Sequence, residues 1–148
     1  MGGQNKEEIY SVSKDGKIAI VLHSGAYDRA NYALSIATVA LAMGMEVHMI
    51  YTYGGFRRLI KGYTDDLGEE TPREIKSIIQ NGIKKGNIPP ISKQIKEATR
   101  MGLKTYACVN AMANFNIAKD QLISEVEKPM GIATFLELTK DAAKTLYV

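Results

Sequence analysis

The chain has 148 residues, of which 45% are hydrophobic and 24% charged, and a formal net charge of +3; this gives room for one domain with a sizeable core and an ordinary soluble composition. Lysines and arginines are scattered among acids rather than gathered into a basic stripe, and no apolar run approaches the ~20 residues that a bilayer demands, so neither nucleic acid nor a membrane is expected as a partner. The polar start, Met1 to Glu8, lacks the apolar stretch of a signal peptide, and a single cysteine makes no intramolecular disulfide, both of which fit a reducing cytoplasm.

Residues 1–16 read as a loose arm, ending in Lys14-Asp15-Gly16, ahead of a domain over 17–148. Lys17 to His23 is a near-continuous apolar run, as expected of a strand buried on both faces of a parallel sheet. Ser24-Gly25-Ala26-Tyr27 is a turn and Asp28 a candidate N-cap. Tyr32, Ile36, Val39, Ala40 and Met43 recur at helical spacing and form the expected inward stripe, with Gly44 as the stop. Glu46 to Tyr51 is a second strand, so the segment forms a right-handed βαβ unit and implies a parallel sheet.

After Tyr53, Gly54-Gly55 leads into a short helix, Phe56 to Ile60, stopped by Gly62. Residues 63–70 are acidic and turn-rich. Thr71-Pro72-Arg73-Glu74 has the form of a capping box with proline at the first helical position, and Ile75, Ile78, Ile79 and Ile83 follow as an apolar stripe up to Gly86. This helix is more than a simple crossover needs, so 63–88 reads as an insertion that covers a site or another subunit, with packing on its own sheet as the equal alternative. Pro89-Pro90 is a rigid break and Ser92 the expected cap of a helix with Ile95, Ala98 and Met101 inward. A third strand over 103–109 follows. Lys119 to Ile123 is a helical turn, Glu125 to Glu127 a very short strand, Ile132 to Asp141 a helix, and Thr145 to Val148 the last strand. Together these predict one doubly wound α/β domain, a mainly parallel five-stranded, flavodoxin-like sheet with helices on both faces.

In such sheets ligands bind beyond the carboxyl ends of the strands. Three segments arrive there: His23 to Tyr27, Thr52 to Gly55, and Cys108-Val109-Asn110. In the common 2-1-3-4-5 order the first and third strands are neighbours, which would put His23 and Cys108 at one edge and His48 inside an edge strand. Cys108 falls where an apolar strand gives way to small polar residues, so backbone N–H groups would favour its thiolate, and a histidine in reach could accept the proton. The plainer alternative is a small hydrophobe at a strand end beside a satisfied histidine.

No C-x-x-C is present, so dithiol exchange is set aside. Ala113 and Asn114 stand where a phosphatase-like loop would carry its arginine, and a metal lacks further ligands. The Gly54-Gly55 turn leading to Arg57 and Arg58 is a weak anion signal, with exposed arginines on a surface helix as the plainer reading. No G-x-G-x-x-G follows a strand, which argues against a dinucleotide while a flavin or mononucleotide stays open.

The chain resembles the DsrE/DsrF-like family of small sulfur-relay proteins from residue 17 to 148. The resemblance rests on Leu41-Ala-Met-Gly-Met-Glu-Val-His-Met49 with its Tyr51-Thr-Tyr-Gly-Gly55 continuation, on Gly102-Leu-Lys-Thr-Tyr-Ala-Cys108, and on Gly131-Ile-Ala-Thr-Phe-Leu136. It implies a trimeric or hexameric oligomer and a cysteine that carries sulfur as a persulfide or thiosulfonate, a role that maps onto Cys108 alone. His23 then becomes the candidate proton acceptor and Asn110 a hydrogen-bond donor. Partners would be a small TusA-like carrier or a heterodisulfide-reductase-like complex, with no cofactor or metal expected. The sequence departs from its nearest-looking relatives after the cysteine, where Val109-Asn-Ala-Met112 stands in place of Gln-Met-Ser-Met, and it lacks a second cysteine for an intrachain resolving step. The competing reading is a non-enzymatic binding subunit with a structural cysteine, in which Ser24, Gly25, Tyr53, Gly54 and Gly55 hold a small anionic ligand or mononucleotide.

Overall fold

The computed structural model describes residues 16–148. The arm expected over 1–16 lies outside the described residues, Gly16 excepted. Five strands, β1 (Lys17–Leu22), β2 (Glu46–Tyr51), β3 (Lys104–Cys108), β4 (Val126–Met130) and β5 (Lys144–Tyr147), form one sheet in the order β4-β3-β2-β1-β5, every pair parallel. Helix α1 (Tyr27–Ala42) joins β1 to β2. Between β2 and β3 run α2 (Tyr53–Phe56), a 3-10 turn (Arg57–Leu59), α3 (Arg73–Lys84) and α4 (Ile91–Arg100). Helix α5 (Val109–Asn114) and a second 3-10 turn (Lys119–Gln121) lead to β4, and α6 (Ile132–Leu138) leads to β5.

The winding explains the layers. From β1 to β4 the chain steps steadily in one direction, then returns past three strands to lie beside β1. Right-handed crossovers made in opposite directions fall on opposite faces. Side-chain alternation agrees. Tyr106 packs edge-on against Phe135 of α6, with ring centroids 6.1 Å apart, so Ile50, which is in register with Tyr106, and His48 face α6. The other face lies under α1, which packs on β1 and β2 and beside α4.

This order corrects the expected 2-1-3-4-5 arrangement. β2 stands between β1 and β3, so the strands that end at His23 and Cys108 are not neighbours, and His48 lies in the middle of the sheet rather than at its edge. It is buried, with Nδ1 2.7 Å from the Tyr106 hydroxyl and Nε2 2.8 Å from Glu46 Oε1.

The α1 stripe is also corrected. The buried face is Tyr27, Ala30, Ala33, Leu34, Ala37 and Ala40, while Tyr32 and Val39 stand exposed. Small alanines let the helix sit close to the sheet, and Asn31 ties it to Gln94 of α4 at 2.9 Å. Asp28 lies in the first turn of α1 and is not its cap, although a carboxylate there suits the positive end of the helix. Thr71 does not cap α3. Its hydroxyl instead accepts from Tyr27 N–H at 2.8 Å and donates to the Leu67 carbonyl. Ser92 is itself capped from a distance, its N–H and hydroxyl meeting Asp65 at 2.8 and 2.7 Å. Met101, expected inward, is exposed beside the glycine that ends α4. β4 is longer than expected and carries Pro129, which an edge strand tolerates because its outer side needs no ladder bond.

Candidate functional site

β3 ends where its hydrogen-bonding ladder ends, and Cys108 becomes the N-cap residue of α5. The side chain is nearly buried, at 2% exposure. It lines a 460 Å³ depression at the carboxyl edge of the sheet, together with His23, Thr52, Tyr53, Asn110, Ala113, Asn114 and Ile132. Sequence reasoning had four of these, His23, Tyr53, Cys108 and Asn110, and the fold gathers them although β2 separates their strands. Tyr53 bridges the gap by leaving β2 between the other two. Its backbone sits at φ 45°, in the left-handed region that disfavours a bulky side chain. Its ring lies 4.9 Å from that of His23 at an interplanar angle of 31°. A strained residue held at the mouth of a depression is characteristic of sites where geometry matters more than local comfort.

The backbone of His23 is fixed from two sides. Its N–H donates to the Val148 carbonyl at 2.8 Å and its carbonyl accepts from Gly55 N–H at 3.1 Å. The imidazole is thereby carried on a rigid edge while remaining exposed. Among the residues that sequence reasoning missed, Asn114 had a signal: it stands four positions after Asn110, so the two share one face of α5. Ile132 had none, because it comes from the far side of β4.

Ser24, Gly25, Gly54 and Gly55 do not join this depression. The Ser24 hydroxyl accepts from Ala26 N–H at 3.1 Å and shapes the turn. Gly55 is buried against Leu22, whose carbonyl leaves no room for a Cβ. Gly25 and Gly54 instead line a second, 650 Å³ cavity, together with Arg57, Arg58, Tyr63, Lys76, Phe115 and the loop from Asp66 to Glu70. A Glu70 carboxylate oxygen accepts from Gly25 N–H there at 2.7 Å.

The two arginines, read from sequence as exposed, divide. Arg57 remains outside, its guanidinium 5.4 Å from the Tyr63 ring centroid. Arg58 is buried at 2% exposure. It donates to four carbonyls, those of Thr64, Asp66, Gly25 and Leu67, and lies over the Tyr27 ring. Burial lowers its pKa, against which Tyr27, Asp66 and Asp65 pull. Desolvation of a cation is costly, and carbonyl dipoles offset it here in place of a direct carboxylate. Among the described residues no group of three or more His, Cys, Asp or Glu side chains is arranged to hold a metal. No helix among them is long and apolar enough to cross a membrane.

The family model described as DsrE/DsrF-like matches residues 16–148. The chain is 26% identical to the uncharacterised protein YrkE of Bacillus subtilis (strain 168), over 89% of this chain and 96% of that protein. Two solved structures share the fold at 14% identity. One is a protein of unknown function, MTH1491, from Methanobacterium thermoautotrophicum, with a TM-score of 0.64 and coverage of 89% of this chain and 99% of that one. The other is the YchN protein of E. coli, with a TM-score of 0.62 and coverage of 90% and 99%.

Proposed function

Because the chain belongs to the DsrE/DsrF-like family, which is linked in general to sulfur relay, we propose that it is a sulfur carrier loaded on Cys108. The observation that supports this most is the depression itself, which gathers the only cysteine of the chain with an exposed imidazole, a strained tyrosine and two asparagines at the carboxyl edge of the sheet. His23 accepts the thiol proton. The Cys108 thiolate attacks the sulfane sulfur of a donor persulfide, a new S–S bond forms, and the donor S–S bond breaks to release the donor thiolate, which takes up the proton. Sulfur moves without net oxidation. With tetrathionate as donor, the thiolate attacks an inner sulfur, a new S–S bond leaves a thiosulfonate on Cys108, and the central S–S bond breaks to expel thiosulfate. Asn110 and Asn114 offer amide N–H donors to the terminal sulfur or its oxygens.

Unloading requires a second molecule, since the chain has no other cysteine. A small TusA-like carrier or a heterodisulfide-reductase-like complex fits that step, and both belong to the cytoplasm. A thiol at 2% exposure restricts such partners to those whose attacking group reaches into the depression. We assign the homo-oligomer, a trimer or hexamer, to this same reading. The supporting feature is the sheet face under α6, where, among the described residues, one seven-residue helix faces five strands and Ile132, Leu136 and Tyr147 stand exposed.

The reading is tested by incubating the reduced protein with polysulfide or tetrathionate and weighing it intact. Wild type gains sulfur or a thiosulfonate group, reversibly with dithiothreitol, and Cys108→Ala gains nothing. Equal addition to both proteins, or none to either, ends it.

A further inference from the structure

The larger cavity takes no part in the sulfur chemistry, yet its construction is specific. The turns after β1 and β2 press together at Gly25 and Gly54. A Cβ on Gly54 would come within 2.7 Å of the Gly25 nitrogen, and a Cβ on either glycine would overlap Glu70 Oε2. Two missing side chains thus leave a notch about one oxygen atom wide, and a carboxylate oxygen from 45 residues along the chain occupies it, bonded to Gly25 N–H. Glu70 otherwise belongs to the surface. Directly behind the notch, the Gly25 carbonyl accepts from the buried Arg58 guanidinium at 2.7 Å. Arg57 and Lys76 line the same cavity, and among the described residues neither they nor Arg58 form an ion pair.

We propose that this cavity is a binding site for a small oxyanion, with Glu70 as an intramolecular occupant that the incoming anion displaces. The carboxylate oxygen stands where an oxygen of the ligand would stand, and the backbone N–H that now holds it would hold the ligand. Charge points the same way. The lining carries Arg57, Arg58 and Lys76 against Asp66, Glu69 and Glu70. Swinging Glu70 into solvent leaves one positive charge in excess among the lining side chains, which favours entry of an anion. An exposed carboxylate regains its hydration on release, so the exchange is close to even and responds to ligand concentration. The site also adjoins the thiol's depression, because Tyr53 lines one hollow and its successor Gly54 the other.

Inorganic sulfate, compared with chloride at matched ionic strength, is the probe. Glu70→Ala removes the competitor, so sulfate binds it about tenfold or more tightly than wild type, read as a sulfate-specific rise in Tm. The Gly25 amide resonance shifts on deletion of Glu70 and returns toward its wild-type position as sulfate is added. Glu70→Ala combined with Gly25→Ala, which fills the notch with a methyl group, loses the sulfate response. Equal sulfate affinity in wild type and Glu70→Ala overturns the proposal, as does a response that survives in the double variant. Neither result touches the Cys108 reading, which stands or falls on sulfur loading.

Discussion

Tyr106 and His48 share one buried hydrogen bond, and their rings are stacked 5.8 Å apart at 6°. Burial, reinforced by the charges of Glu127 and Glu46, pushes the Tyr106 hydroxyl up to about 12. Burial raises Tyr51 and Tyr27 as well, with Asp65 adding to the effect at Tyr27. The folded state therefore holds these protons more tightly than the unfolded chain, whose tyrosines ionise near pH ~10. Their contribution to stability is fully present below about pH 10 and is lost as pH rises through the folded values. In a spectroscopic tyrosinate titration these three of the eight tyrosines should ionise only as the circular dichroism of the fold disappears. Ionisation of all eight with the fold intact would show that their hydroxyls are not held away from solvent.

At the scale of elements, the segment between α2 and α3 is organised by Arg58, whose planar guanidinium reaches carbonyls on the 64–67 loop and on the turn after β1. Lysine keeps the charge and lacks the fork, so Arg58→Lys should cost about 1.5–3 kcal/mol in urea unfolding and open residues 63–72 to limited proteolysis. An unchanged midpoint would mean that the loop holds itself. The neighbouring α3 does not present its whole isoleucine stripe outward. Ile79 is buried at 5% exposure, Ile75 and Ile83 are half-buried, and Ile78 is 63% exposed. Ile79→Ala should therefore cost about 2–4 kcal/mol and Ile78→Ala less than about 0.5 kcal/mol in urea unfolding. Equal costs would place α3 in a different role.

At the scale of the whole molecule, the described residues cover the two faces of the sheet unequally. α1 and α4 close one, and α6 with its partly exposed Ile132, Leu136 and Leu138 stands on the other. Self-association is the economical way for a small α/β subunit to cover such a face. Leu136→Glu should lower the assembly size in light scattering while leaving the circular dichroism unchanged, since Leu136 is 52% exposed in the subunit. Wild type that scatters as a monomer at micromolar concentration would remove the assembly from the proposal.

The succession of strands and helices was legible in the chain because local signals carry it. An apolar run from Lys17, glycines at positive φ such as Gly44 and Gly86, and the small polar residues after Cys108 each act within a few residues. The parallel sheet followed from the same signals, since a strand returning through a helix has few other ways to pair. Strand order was not legible, because the long return from β4 to β5 depends on which edge remains open once the others have paired. That order put β2 between His23 and Cys108 and made Tyr53 the link between them. The inward face of α1 was misread because alanine contributes little to a hydrophobic pattern, although it permits the closest approach. Arg58 and Glu70 looked like ordinary surface charges. Only the tertiary structure brought the 63–70 loop against the turns after β1 and β2, where one carbonyl-lined hollow took in the guanidinium and one glycine notch took in the carboxylate.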